Sequence, residues 1–184
     1  MKTKITILFF GLLSLAFSTF AQERYGHTLN LGVGVGGYSG YYKYVGRTIP
    51  VFHLNYEFDV AKNFTLAPFI SFYSFSNTYN SGGVNYVYSE TVIPIGVKGF
   101  YYFDDILNAG SDWDFYLAGS LGFAIVSSNW EAGYPGNKDY YGRPSSLFLD
   151  LHIGAEYHFN KKVGGFLDLS TGVSTLGLSF HSTK

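Results

Sequence analysis

Residues 147–159 have the sequence LFLDLHIGAEYHF, in which apolar residues occupy every odd-numbered position. Successive side chains of a β-strand point to opposite faces, so this alternation predicts a strand with one apolar face and one mostly polar face. At about 3.3 Å per residue the stretch would reach roughly 43 Å. That length suits a tilted membrane crossing better than an ordinary strand of about 5–6 residues.

The composition predicts that the rest of the chain is also β-structure. Glycine (23), tyrosine (17) and phenylalanine (18) are abundant, and there is one methionine. Charged residues make up 14% of the chain, against about 25% in soluble domains. Strand-forming aromatic residues are therefore enriched, whereas helix-forming glutamate, lysine and methionine are depleted.

The first 21 residues have the pattern of a secretory signal peptide. Two lysines, Lys2 and Lys4, precede an apolar stretch that ends in small residues, and cleavage is expected after Ala21. The alternative is an N-terminal membrane anchor, but the apolar stretch is shorter than the ~20 residues that a spanning helix needs. We therefore expect a signal peptide at 1–21 and one domain at 22–184.

Charge and cysteine content exclude some classes of protein. Two of the 12 basic residues lie in the signal peptide, which leaves 10 against 13 acidic residues, a net charge near −3. Without a basic run, nothing predicts a nucleic-acid partner. The chain has no cysteine, so no disulfide stabilises the exported domain and no cysteine is available for a lipid anchor.

The same alternation recurs along the chain and predicts eight strands. Long connections are expected at 37–47, 75–85 and 128–144, whereas the connections after the second and sixth strands are short. Short turns at one end and long loops at the other are typical of a transmembrane β-barrel. The predicted strands are 28–36, 49–58, 64–74, 86–103, 113–127, 147–159, 163–171 and 173–181.

Three features predict that the apolar face points outward. The other face is crowded with small residues, which suit the narrow interior of an eight-stranded barrel. Lys98 is its only lysine, which is unlike a solvated surface. Aromatic residues also gather at both strand ends, as expected at two membrane interfaces. At the turn end these are Tyr56, Phe58, Phe64, Tyr101, Phe103, Trp113, Phe115, Tyr157 and Phe159; at the loop end they are Tyr86, Tyr88, Trp130, Tyr140 and Tyr141.

In this pattern the mature chain resembles the small eight-stranded outer-membrane β-barrel proteins of the OmpA/OmpX type, and especially the outer-membrane barrel-domain family common in Bacteroidota. The resemblance implies an all-β, eight-stranded antiparallel up-and-down transmembrane barrel in a Gram-negative cell envelope. It also implies contact with outer-membrane lipid, lipopolysaccharide and the barrel assembly machinery. One departure is that Phe180 is followed by four more residues, whereas such barrels usually end on an aromatic residue.

Charged and histidine side chains on the inward face are candidates for a buried polar network. We expect Lys98 to bridge carboxylates there, because an unpaired charge in the interior would be costly. His53 lies on the same face of the second strand. The predicted network is Glu57, Lys98, Asp150, His152, Glu156, His158 and Asp168.

Two chemical alternatives use the same face. Lipid A-modifying enzymes are also eight-stranded barrels with serine, histidine and acidic residues in their sites, and here Ser170 lies one strand from His152. Their site lies at the outer leaflet, whereas this cluster is mostly towards the periplasmic end. A metal site of His53, His152 and His158 lacks a recognisable ligand spacing. We therefore favour structural packing and expect no cofactor.

Exposed loops are the remaining candidate for function. Tyrosine, glycine and asparagine form adaptable contact surfaces, and loops on a rigid barrel often carry function. The alternative is that these aromatic residues sit at lipid headgroups or pack the loops together. The candidate contact residues are Tyr41, Tyr42, Tyr44, Trp130, Tyr134, Tyr140 and Tyr141.

The sequence thus predicts an outer-membrane barrel with a structural or surface-interaction role, without enzyme activity. Its partners would be lipopolysaccharide and a host or envelope protein. A wide pore is not expected, because side chains fill an eight-stranded interior. The alternatives are a secreted, lipocalin-like barrel that binds a small apolar ligand and, third, a lipid A-modifying enzyme.

Overall fold

The computed structural model describes residues 27–37, 50–107, 109–136 and 147–182. Within them the chain forms eight strands and one short helix, α1 (Asp104–Leu107), between the fourth and fifth strands. No helix of these residues is long and apolar enough to cross a membrane. The strands are β1 (Thr28–Gly36), β2 (Val51–Ala61), β3 (Phe64–Ser81), β4 (Val84–Tyr102), β5 (Trp113–Trp130), β6 (Leu147–Asn160), β7 (Val163–Ser170) and β8 (Val173–His181).

The strands close into an antiparallel up-and-down barrel. Each strand pairs with its neighbour in sequence, and β1 pairs with β8 from Thr28↔His181 to Gly36↔Val173. Every strand edge within the barrel is therefore hydrogen-bonded. The predicted all-β, eight-stranded antiparallel architecture is confirmed.

The apolar side chains of the strands point outward and form a continuous belt, here called the apolar band. Leu121, in the middle of β5, exposes 58% of its surface. From Phe115 to Ile125, at about 3.3 Å per residue and a tilt of about 40°, the band is about 25 Å tall. Its members are Leu31, Val33, Phe52, Leu54, Ile70, Phe72, Ile95, Val97, Leu117, Leu121, Phe123, Ile125, Leu147, Leu151, Ile153, Leu167, Leu169, Leu176 and Leu178.

Aromatic side chains border the band at the end where the short turns lie. The ring of Trp113 lies 4.9 Å from that of Tyr157 and 5.8 Å from that of Phe115. Phe180 joins this border from β8. The exposed members of this turn-end ring are Tyr56, Phe58, Tyr101, Trp113, Tyr157, Phe159 and Phe180.

The prediction of a loop at 75–85 was wrong, because β3 and β4 continue through it as a long hairpin. Their pairing runs to Ser81↔Val84 around a turn at Gly82 and Gly83, whose φ angles of 61° and 83° suit a tight hairpin turn. The Asn80 side chain donates to that of Asn85 at 2.8 Å. Strand β5 likewise extends to Trp130, three residues beyond the predicted end. The polar composition of these residues suggested a loop, but cross-strand pairing continues the ladder through them.

Candidate functional site

The described part of the chain contains two candidate regions: the barrel interior and a sheet that projects beyond the apolar band. In the interior, inward side chains from all eight strands meet across a narrow lumen. In the projecting sheet, residues 74–91 of β3 and β4 and residues 127–130 of β5 continue past the band.

Lys98 forms an ion pair with Asp168 at the centre of the interior. Both side chains are almost fully buried, and the Lys98 ammonium lies 4.8 Å from the centre of the Phe100 ring. The Tyr116 hydroxyl donates to the same carboxylate at 2.9 Å. Among the described residues, Lys98 pairs with no second carboxylate, so the geometry is a pair rather than the expected bridge.

His152 connects this pair to Ser120. Its Nδ1 lies 2.6 Å from Asp168 Oδ1, and its Nε2 lies 2.9 Å from Ser120 Oγ. These contacts follow the order of a Ser-His-Asp triad. However, Ser120 is only 4% exposed, and the Asp168 carboxylate also holds Lys98 and Tyr116. The arrangement is a sealed hydrogen-bond network, in which a substrate reaches the hydroxyl only if the barrel opens.

Glu57 belongs to a separate cluster near the turn end. Its carboxylate accepts hydrogen bonds of 2.7 Å each from Asn30, Thr65 and Tyr102. None of these donors is a cation. Asn30 also donates to Asn55 at 2.9 Å. The neutral donors satisfy this buried carboxylate, so the structure does not bring Glu57 to Lys98.

Asp150 lies towards the loop end and holds the β7–β8 connection. Its carboxylate accepts hydrogen bonds from the hydroxyls of Ser170 at 2.8 Å and Thr171 at 2.7 Å, and from the backbone N–H of Val173 at 3.2 Å. Ser170 is therefore engaged with Asp150 and not with His152. This serine does not take part in the serine, histidine and acid arrangement considered from the sequence.

Glu156 and His158 lie two residues apart at the turn end of β6. His158 Nε2 lies 2.8 Å from Asp114 Oδ2, and Glu156 Oε1 lies 2.7 Å from the Nε2 of His181. The predicted single network is therefore divided into clusters along the barrel axis, of which the one around Lys98 also includes Asp150, whose Oδ2 lies 3.8 Å from His152 Nε2.

Sequence reasoning missed several members of these clusters. Tyr102 and Tyr116 were not among the predicted network residues, although their hydroxyls donate to Glu57 and Asp168. His181 was predicted as the end of the eighth strand but not as a network residue, although the alternation of β8 places it on the inward face opposite Thr28. The available signal was the register of each strand, since every missed residue lies at an inward position.

The outward face of the projecting sheet is polar. Above Phe72 and Ile125 its side chains are short and hydroxylated, and Ser76 and Ser89 pair across the hairpin at 3.0 Å between their hydroxyls. Thr91 donates to Ser74 at 3.3 Å. The outward residues are Ser74, Ser76, Thr78, Ser89, Thr91, Ser127 and Asn129, with Val87 as an apolar exception.

The opposite face of the projecting sheet carries a cluster of aromatic rings. Trp130 and Tyr134 stack with ring centroids 4.0 Å apart and an angle of 7° between planes. Tyr88 lies 4.8 Å from Trp130, and Tyr86 lies 5.3 Å from Tyr134. Tyr79 completes the group 5.3 Å from Trp130. We call these five residues the aromatic cluster.

Two acidic residues accept hydrogen bonds from β4 beside this cluster. The Glu131 carboxylate accepts a hydrogen bond of 2.8 Å from the backbone N–H of Val87. The Tyr88 hydroxyl donates to Glu90, and burial together with this carboxylate raises the pKa of Tyr88 to about 12. The phenol therefore stays protonated and acts as a donor at neutral pH.

The loop-end girdle predicted from the sequence was wrong for the residues described. Tyr88 and Trp130 lie on the inward face and contact each other instead of facing outward. The same holds for Tyr86, which packs on Tyr134. Of the predicted contact residues, Trp130 and Tyr134 belong to the aromatic cluster. Tyr41, Tyr42, Tyr44, Tyr140 and Tyr141 lie outside the described residues.

Known proteins show only a distant similarity to this chain. No protein-family model matches the chain, and no curated protein is similar to it. Among solved structures it is similar to Ail, the attachment invasion locus protein of Yersinia pestis, in a crystal structure with the heparin analogue sucrose octasulfate. The match has a TM-score of 0.45 and 9% identity, and covers 83% of this chain and 97% of that one. At this level of similarity, no functional property of Ail is transferred.

Proposed function

We propose that this chain is an integral outer-membrane protein that acts through contacts at its loop end and catalyses no reaction. The observation that carries the proposal is the apolar band, which is closed around the barrel, about 25 Å tall and bordered by the turn-end ring. In water such a surface would be a large exposed apolar patch, whereas lipid covers it at no cost. Export by a signal peptide at 1–21 is part of the proposal.

The direction of the apolar face disfavours the lipocalin-like alternative. A soluble barrel with an apolar ligand has its apolar side chains inside and polar ones outside. Here the buried inward residues include Glu57, Lys98, Asp150 and Asp168, whereas Leu151 and Phe123 are among the most exposed. The filled, charged interior also supports the absence of a wide pore.

The projecting sheet is the proposed contact surface. It presents exposed hydroxyl and amide groups on one face and the aromatic cluster on the other, which is a composition suited to hydrogen bonding and stacking with a partner. The proposed partners are lipopolysaccharide and a host or envelope protein. Tyr41, Tyr42, Tyr44, Tyr140 and Tyr141 lie outside the described residues and stay predicted contact residues.

Membrane location is tested by gel mobility. The protein is extracted from an outer-membrane fraction and loaded in SDS with and without boiling. We expect a folded band that shifts on boiling, because the closed ladder resists SDS at room temperature. Recovery in the soluble fraction without a shift would contradict the membrane proposal.

Surface contact is tested by shortening the hairpin. Because Ser76 pairs with Ser89, residues 77–88 can be replaced by an Asn-Gly turn without changing the register below. The matched control keeps the full hairpin and carries Lys161→Met, in an exposed turn at the other end of the barrel. We expect all variants to show the same gel shift, while binding of expressing cells to lipopolysaccharide or host-matrix coats falls only in the shortened one. Unchanged binding would contradict the role of the sheet.

A further inference from the structure

Two histidines and one glutamate converge at the turn end of the interior. Glu156 and His158 lie two residues apart on β6 and share its inward face, and His181 is the last residue of β8. Strand β7 separates them, but its residue opposite His158 is Gly164. The three side chains therefore meet across a strand that contributes no side chain at that level.

Potential metal-binding atoms of these three residues lie close together. Glu156 Oε1 lies 2.7 Å from His181 Nε2 and 3.8 Å from His158 Nδ1, and the two imidazole rings are 4.9 Å apart. One ligand atom from each residue lies within 4.8 Å of the others. Bonds of about 2.0–2.2 Å to a tetrahedral zinc ion place ligand atoms about 3.3 Å apart. Small side-chain rotations therefore suffice to enclose an ion.

The other nitrogen of each imidazole is already engaged. His158 Nε2 lies 2.8 Å from Asp114 Oδ2, and His181 Nδ1 lies 2.9 Å from Thr28 Oγ1. Metal-binding histidines use such contacts to fix the ring orientation and tautomer, and a carboxylate partner raises the basicity of the ligand. The contacts leave His158 Nδ1 and His181 Nε2 directed at Glu156.

Gly164 provides the space for the carboxylate. A Cβ atom at this position would lie 2.1 Å from Glu156 Oε1. Because Gly164 has no side chain, the Glu156 carboxylate can turn towards His181 on β8. Access is also available, since the side chains of His158 and His181 are 20% and 17% exposed.

We propose that Glu156, His158 and His181 bind a divalent transition-metal ion, and that the ion is Zn²⁺. Two imidazoles and a carboxylate favour such an ion over Mg²⁺ or Ca²⁺, which prefer all-oxygen ligands. Water would complete the coordination, since both imidazoles are partly exposed. Because β8 pairs with β1, the ion links β6 to the seam where the barrel closes. It would stabilise the folded barrel as a cross-link.

Zinc binding is measured by isothermal titration of the folded barrel in detergent micelles, with Ca²⁺ as the comparison ion. We expect one Zn²⁺ per chain, no response to Ca²⁺, and a higher temperature for the SDS gel shift when Zn²⁺ is present. The absence of saturable Zn²⁺ binding by the wild type would overturn the proposal.

Variants locate the site. His158→Gln and His181→Gln each remove one ligand and should weaken binding at least about tenfold, and Asp114→Asn should weaken it about 10–100-fold. Gly164→Ala keeps every ligand but displaces the carboxylate, so it should also weaken binding. His53→Gln removes a histidine elsewhere in the interior and should have no effect. Wild-type affinity in the His158→Gln/His181→Gln double variant would overturn the assignment.

X-ray absorption of the zinc-loaded wild type decides the question even when a variant does not fold. We expect a first shell of nitrogen and oxygen atoms with the multiple-scattering pattern of two imidazoles. A shell with fewer than two imidazoles would overturn the proposed ligand set. The gel-mobility test of membrane location does not depend on either result.

Discussion

The part of the barrel that carries the apolar band and the projecting sheet are both built from β3, β4 and β5 but differ in where they place polar groups. Along β5, outward residues are apolar from Leu117 to Ile125 and polar at Ser127 and Asn129. On the inward face, Ser120 belongs to the polar network, whereas Trp130, further along the strand, packs against another aromatic ring. The hydrogen-bonded ladder therefore continues unbroken while the polarity of its side chains changes. The polarity of side chains marks the boundary, and the end of the strand does not.

The two regions also differ in how their polar groups are used. Inside the barrel, Lys98, His152 and Asp168 satisfy one another and are buried. In the projecting sheet, the hydroxyls of Ser76 and Ser89 pair with each other but remain exposed. Buried charges act on stability, whereas exposed polar groups can meet a partner.

The largest effect is expected for Lys98→Met. The change leaves the Asp168 carboxylate buried without its cation, which costs about 3–5 kcal/mol of unfolding free energy. Urea unfolding of the barrel in lipid vesicles measures it. Lys161→Met, on an exposed turn, is the control and should stay within about 0.5 kcal/mol. Addition of Asp168→Asn to Lys98→Met should restore part of the loss; equal stability of both lysine variants would show that the pair has no structural role.

A charge on the apolar band should have the next largest effect. Leu121→Arg places a cation near the middle of the band and should cost about 2–4 kcal/mol in lipid vesicles. Ser76→Arg places the same side chain on the outward face of the projecting sheet and should cost less than about 0.5 kcal/mol. Equal costs at the two positions would remove the distinction between the regions.

A smaller and local effect is expected for Trp130→Ala. The variant removes three ring contacts, each worth about 0.5–1.5 kcal/mol beyond the buried area. Backbone hydrogen exchange should accelerate around Tyr88 and leave the ladder near Gly96 unchanged, because local openings have their own free energies. Uniform acceleration throughout β4 would show that the projecting sheet and the barrel unfold as one unit.

The smallest effect is expected for Ser120→Ala. Loss of its hydrogen bond to His152 should cost about 0.5–1.5 kcal/mol. Because the wild-type hydroxyl is buried, a fluorophosphonate probe should label neither wild type nor variant. Labelling of the wild type that disappears in Ser120→Ala would identify an accessible nucleophile and contradict the non-enzymatic proposal.

Much of the fold followed from side-chain alternation, because a period of two assigns residues to faces without knowledge of contacts. The bounds of β1 and β8 were predicted without error for this reason. The ends of β3, β4 and β5 were not, because Asn77 and Gly82 have loop composition but their ladder is held by long-range pairing.

The candidate sites were less predictable. Alternation placed Lys98 and Asp168 on the inward face, but which inward residues meet depends on strand register and tilt. The contact between Glu156 and His181 crosses a strand and depends on Gly164. The aromatic cluster similarly depends on the hairpin that places Tyr88 beside Trp130. No local sequence pattern predicts which of these residues contact each other.

The most direct test of the membrane boundary uses the absence of native cysteine. Single cysteines at Leu121, Ser76 and Lys161 are exposed to a membrane-impermeant maleimide on intact cells and again after permeabilisation. We expect labelling of Ser76→Cys on intact cells, of Lys161→Cys only after permeabilisation, and of Leu121→Cys in neither case. Labelling of Leu121→Cys as readily as Ser76→Cys would contradict the account, because lipid would then not cover the apolar band.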